Sequence, residues 1–150
     1  MIRTAPNRAL GIRCRSMLKP RILITGATGK TGSAAALDLL RRGYNVRAFV
    51  HRLDERSDNL RKAGAEIICG SLEDIVDLRR ALHGIERAYF CPPLEYGTLR
   101  RAALFAAAAE EAKLEAMVVL SQWLADPLHP AIHSREKWLK IGRASCRERV

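Results

Sequence analysis

Short aliphatic runs recur along the chain, separated by longer stretches in which apolar positions return every three or four residues. The run RILIT (21–25) ends at Gly26 and predicts a strand. TGSAAALDLLRRG (31–43) places Ala35, Leu37, Leu39 and Leu40 among helix formers, stops at Gly43 and predicts a helix. NVRAFVH (45–51) alternates apolar with polar positions, as a strand does, and ERSDNLRKAG (55–64) reads as a short helix closing at Gly64. AEIICG (65–70) is a third strand. LEDIVDLRRALHG (72–84) is a helix with Ile75, Val76, Leu78 and Leu82 on or near one face. RAYFC (87–91) is a fourth strand, stopped by Pro92 and Pro93. The Ala-rich TLRRAALFAAAAEEAKLE (98–115) is a long helix and AMVVLS (116–121) a fifth strand. After a loop holding Pro127 and Pro130, HSREKWLK (133–140) opens another helix.

Strands alternating with helices of this length require right-handed crossovers and a mostly parallel sheet. The strands read as aliphatic runs because helices cover both faces. The expected fold is α/β, a doubly wound sheet in the order 3-2-1-4-5.

Composition changes this picture mainly at the two ends. A chain of 150 residues holds one domain at most. Of its net charge of +10, residues 1–16 supply +4 through Arg3, Arg8, Arg13 and Arg15 with no acid, and residues 141–150 supply +2. The charges between alternate in sign, a solvated surface rather than a nucleic-acid patch. Residues 1–16 have three readings: translation begun upstream of Met17, a mitochondrial transit peptide, or a basic tail. All three leave this extension outside the core. IGRASCRERV (141–150) resembles the conceptual translation of a sequencing-library adapter, the alternative being a genuine basic tail. On the first reading the Rossmann region is 17–140 and is a fragment, truncated after the fifth strand and its helix and expected to be unstable or inactive alone.

Cys14 and Cys146 lie in these ends, while Cys69 and Cys91 sit in apolar runs and read as buried small hydrophobes. No cysteine or histidine spacing points to a metal or a disulfide framework, and no apolar run approaches membrane-spanning length. The expectation is a cytoplasmic protein, or a mitochondrial one if residues 1–16 are a transit peptide, with no nucleic-acid or membrane partner.

ITGATGKTG (24–32) poses the chemical question. A triphosphate-binding loop needs a glycine five residues before Gly29-Lys30-Thr31, and that position is Ile24, inside the first strand. The other reading is a dinucleotide cradle. Gly26 permits the tight turn, Gly29 lets the backbone approach a pyrophosphate, and Gly32 lets the helix pack on the strand. Amides of the first helical turn, Thr28 to Gly32 with Lys30 and Thr31 between, then face the phosphates.

This loop, together with VRAFVHR, GSLED after strand three, CPP after strand four and VVLSQW after strand five, resembles the NmrA-like, atypical short-chain dehydrogenase/reductase family over about residues 17–140. The resemblance implies a Rossmann domain binding NAD(P), followed by a smaller substrate region. It implies either an NAD(P)H-dependent reductase of quinones or related acceptors, or a redox sensor that regulates a protein partner without catalysis.

The end of strand two carries His51 and Arg52 where an acid would take the adenosine ribose; Asp54 and Glu55 come slightly later. A cation there suits a 2′-phosphate, so NADP(H) is expected over NAD(H). Ser71 and Asp74 form a helix-start signature that assigns Ser71 a capping role, and by resemblance the backbone at Ser71 and Leu72 also lines the adenine pocket. Cys91, Pro92 and Pro93 would lie beside the nicotinamide ribose in relatives. The family's Tyr-x-x-x-Lys is here His133-Ser134-Arg135-Glu136-Lys137, with both end residues on one helical face. His133 is the candidate proton donor and Lys137 the candidate cofactor or substrate contact, each against a plain solvent-facing alternative. Ser121 and Gln122 fall where open α/β sheets bind ligands, with no role assigned; Tyr96 is read as loop. The leading function is an NAD(P)H-binding oxidoreductase acting on a quinone-like or other small carbonyl acceptor.

Overall fold

In the computed structural model, residues 19–93, 97–121 and 125–145 are described, without the side chains of 133 and 140–145. Residues 1–18 and 146–150, together with Tyr96, Gln122 and Trp123, lie outside them. The elements run β1 (Arg21–Thr25), α1 (Lys30–Arg41), β2 (Asn45–Val50), α2 (Glu55–Lys62), β3 (Glu66–Cys69), α3 (Ile75–Leu82), β4 (Arg87–Phe90), α4 (Thr98–Glu111), β5 (Ala116–Val119) and α5 (Ile132–Ser145). Every strand and helix expected from the sequence is present; β1 has the expected ends, most other ends fall within three residues of the expected ones because caps and turns take the flanking positions, α4 ends four residues early, and α5 runs five residues past position 140. The sheet is parallel throughout, in the order β3-β2-β1-β4-β5.

Two apolar layers hold it. On one face Ile24, Ala27, Ala36, Val46, Ala48, Val50, Leu60 and Ala65 pack between the sheet, α1 and α2. On the other, Leu23, Phe49, Leu78, Leu82, Phe90 and Phe105 pack under α3 and α4, with the Phe90 and Phe105 rings stacked at 4.5 Å. Closely packed aromatic rings add to the gain from apolar burial alone.

Three expectations need correcting. β2 does not alternate in burial: from Val46 to Val50 every residue is buried, Arg47 included. A central strand is covered on both faces, and Arg47 is accommodated because Nη1 donates to the carbonyls of Ala81 (2.8 Å) and His83 (2.7 Å) at the end of α3. Its Nε lies 2.9 Å from Glu66 Oε2, an ion pair whose N–H alignment falls short of a hydrogen bond. Val76 is 65% exposed and faces away from the core that Leu78 and Leu82 fill. Cys69 and Cys91 are only half-buried, because both sit at strand ends.

Because β1 is flanked by β2 on one side and β4 on the other, successive crossovers run in opposite directions from it. The carboxyl ends of β1 and β4 therefore open a crevice, the place where open α/β sheets take ligands.

Candidate functional site

The crevice is built around the turn after β1. Gly26 has φ of +61°, a left-handed conformation, and a Cβ there would stand 2.4 Å from the Cys91 carbonyl oxygen. Gly32 is closer still: a Cβ would meet Gly26 O at 2.2 Å and Gly26 C at 2.7 Å. These two glycines let the turn, α1 and the end of β4 touch backbone to backbone. Gly29 differs. It has φ −81° and ψ 166°, open to any residue, and a Cβ would meet Gly26 O alone, at 3.2 Å.

Gly29 is the N-cap of α1 and supplies no side-chain cap. Its own amide is used by Gly26 O (2.9 Å), and Ser33 N closes on Gly29 O (2.9 Å). The amides of Lys30, Thr31 and Gly32 have no partner among the described residues. Uncapped amides at a helix start, with the helix dipole behind them, suit a phosphate. Thr28 is half-buried beside them. The sequence reading missed a neighbour: Thr25 is fully buried, and its Oγ1 accepts from Cys91 N at 2.8 Å. That bond ties the end of β1 to the turn of Cys91, Pro92 and Pro93, of which Pro92 is buried and Pro93 exposed. A threonine closing the first strand is the only signal that could have found it.

β2 pairs with β1 in register Thr25–Phe49, so His51 and Arg52 emerge beside the glycine turn, both exposed. Asp54 is the N-cap of α2 in a capping box. Its Oδ1 accepts from Ser57 N (3.1 Å), while Ser57 Oγ accepts from Asp54 N (2.9 Å). Asp54 Oδ2 accepts from Arg56 Nη2 (2.7 Å) and Nε (3.1 Å), and Arg52 Nε stands 3.8 Å away. The Arg56 hydrogen bond, followed by the Ser57 amide, holds the Asp54 carboxyl below its ordinary value.

After β3, Gly70 N donates to Val50 O (2.9 Å), and Ser71 N donates to Asp77 Oδ2 (2.9 Å). Ser71 is not the cap of α3. Asp74 is, accepting from Val76 N at 2.8 Å, while Ser71 Oγ accepts from Glu73 N two residues on. The serine forms a local turn that positions the cap instead of supplying it. Leu72 packs against the apolar layer under α3.

At the far side, Lys137 on α5 is 1% exposed, which rules out the plain surface lysine, and Ser134 is equally buried. Ser121 Oγ, just past β5, and Glu136 Oε2 on α5 are buried and without a hydrogen-bond partner among the described residues. The His133 side chain lies outside the described residues, although its backbone is helical. Tyr89 on β4 has its phenol pushed above the ordinary value by burial, with a smaller contribution from Cys91, and stays protonated.

The arrangement fits a dinucleotide. A family model described as NAD(P)H-binding matches residues 26–144. The chain belongs to the NAD(P)H-binding family. The family member is 42% identical over 67 residues to sterol demethylase protein B of Methylococcus capsulatus, an alignment spanning 45% of this chain and 20% of that protein. Its fold is similar to the NADPH-dependent quinone oxidoreductase of Escherichia coli, solved with NADPH (TM-score 0.70, 21% identity, 83% of this chain and 44% of that one). It is also similar to the triphenylmethane reductase of Citrobacter, solved with NADP(H) (0.66, 20%, 83% and 46%). A third likeness is to a nucleoside-diphosphate-sugar epimerase of Pseudomonas aeruginosa (0.71, 21%, 90% and 50%). The chain thus spans half or less of the length of these proteins. The expected doubly wound α/β fold, with its sheet in the order 3-2-1-4-5, stands. No helix among the described residues is long and apolar enough to cross a membrane.

Proposed function

We propose that this NAD(P)H-binding domain belongs to an oxidoreductase that uses NADPH to reduce a quinone-like or other small carbonyl acceptor. The observation that carries the reading is the uncapped start of α1 packed against the end of β4 through Gly26 and Gly32. The amides of Lys30, Thr31 and Gly32 take the pyrophosphate oxygens. The Cys91–Pro93 turn, fixed by Thr25, supports the nicotinamide ribose, and the turn at Ser71 and Leu72 borders the adenine. His51 and Arg52 favour the adenosine 2′-phosphate, hence NADP(H) over NAD(H). Buried Lys137 holds a ribose hydroxyl or the acceptor, and His133 offers a proton near neutral pH.

The bound nicotinamide supplies a hydride. The protein's part is to orient the acceptor. A quinone takes its protons from water, so the absence of tyrosine at position 133 does not prevent reduction.

Anaerobic oxidation of NADPH on addition of quinones tests this. Acceptor-dependent turnover that falls on Lys137→Ala is the expected result. Cofactor binding without any turnover would refute catalysis and favour a redox-sensing regulator of a protein partner.

A further inference from the structure

Arg52, Asp54 and Arg56 follow β2, and the dinucleotide reading leaves two of them, Asp54 and Arg56, unused. A carboxylate just past the second strand is placed to accept hydrogen bonds from an adenosine ribose. Asp54, four residues past the end of β2, carries such a group, yet both of its oxygens are committed: Oδ1 to the Ser57 amide and Oδ2 to Arg56 through two nitrogens, at 2.7 and 3.1 Å. Arg52 adds a looser ion pair at 3.8 Å. The two guanidinium groups remain open to solvent, with side chains 75% (Arg52) and 56% (Arg56) exposed. The capping box fixes Asp54 independently of Arg56, because the Ser57 bonds involve Oδ1 and the main chain.

We propose that Arg56 is the selector between the two dinucleotides: it occupies the Asp54 carboxylate that would otherwise accept the ribose hydroxyl of NADH, and with Arg52 it offers a second guanidinium to the 2′-phosphate of NADPH. The inference rests on the 2′-phosphate reading above and extends it to a residue outside the strand end. It makes one arginine act on the two ligands with opposite sign. Removing the guanidinium takes a charge-assisted donor from the phosphate and, in the same step, frees Asp54 Oδ2 as an acceptor. A residue that only supports the fold would weaken both ligands together.

The test is titration of the full chain with NADPH and with NADH, followed by nicotinamide fluorescence, in wild type, Arg56→Gln, Arg52→Gln and the double variant Arg56→Gln/Asp54→Asn. Arg56→Gln should weaken NADPH roughly tenfold and tighten NADH about threefold or more. Asn keeps the N-cap, so the double variant should lose the NADH gain. Arg52→Gln should weaken NADPH without tightening NADH. If Arg56→Gln leaves NADH unchanged, or moves both ligands in one direction, the selector is overturned while the 2′-phosphate reading survives in Arg52→Gln. If wild type binds NADH as tightly as NADPH, both are overturned.

Discussion

Replacing Gly32 by alanine should loosen the fold, whereas the same change at Gly29 should spare the fold and damage binding. The contrast follows from what each new methyl would meet. At Gly32 it would stand 2.2 Å from Gly26 O, 2.7 Å from Gly26 C and 3.0 Å from Ala27 Cα. All three are backbone atoms of a turn already fixed by Gly26 and its contact with Cys91, so relief requires moving α1 off the sheet. Overpacking of this kind costs about 1–3 kcal/mol, and an approach more than 1 Å inside van der Waals contact belongs at about the upper end. Alanine recovers roughly 1 kcal/mol of helix propensity, leaving a net loss of about 2 kcal/mol. For a chain of this size that lowers the melting temperature by about 4–8 °C. At Gly29 the backbone is extended and the methyl meets one carbonyl oxygen at 3.2 Å, so the melt should move by about 2 °C or less. The methyl instead fills the space through which a phosphate reaches the amides of Lys30 and Thr31, and NADPH affinity should fall about tenfold or more. Calorimetric melts and fluorescence titrations of both variants measure the two effects separately. A Gly32→Ala protein that melts like wild type would refute the close-approach argument. A Gly29→Ala protein that binds NADPH normally would refute the amide cradle.

Thr25→Val keeps shape and removes an acceptor of Cys91 N; losing that hydrogen bond should cost about 0.5–1.5 kcal/mol and weaken NADPH binding, both read in the same two assays. Arg47→Met should cost about 2–4 kcal/mol by stripping the carbonyls of Ala81 and His83 of their donor, with the half-exposed Glu66 pair adding little. Its NADPH affinity should be unchanged in the same titration. The Arg79 guanidinium, donating to both oxygens of Glu111 (2.7 and 2.9 Å), holds that carboxyl below its ordinary value of 4.5. A depressed folded value means that the stabilisation is complete above the unfolded value and disappears as pH drops through the lower folded one. Glu111→Gln should therefore melt below wild type near neutral pH, and the difference should close as both are taken down to about pH 3.

Strand content and order were legible because a doubly wound sheet writes its buried strands as aliphatic runs, and glycines punctuate the turns at Gly26, Gly43 and Gly64. The turn after β1 was legible because steric need dictates glycine at Gly26 and Gly32, and steric need is local. What escaped depends on partners distant in sequence. Arg47 looked like a polar position in an alternating strand, and only the end of α3, 34 residues later, explains its burial. Thr25 meets Cys91 across 66 residues, a pairing no spacing announces. Ser71 and Asp74 both fit a helix-start pattern, and the choice between them depends on Asp77, whose carboxylate captures the Ser71 amide. Lys137 carries the same letters buried or exposed; the packing of α5 against α4 decides.

The anchoring of Arg47 divides the labour of the sheet by edge. Its guanidinium clasps the end of α3 and the first residue of β3 at the rim where the strands begin, while the glycine turn, the Cys91 turn and the residues after β2 lie at the rim where they finish. On the proposed function, robustness and recognition thus fall to opposite borders of one scaffold. A designer could reinforce the first border for heat tolerance, or redraw the second for another ligand, with little crosstalk between the two.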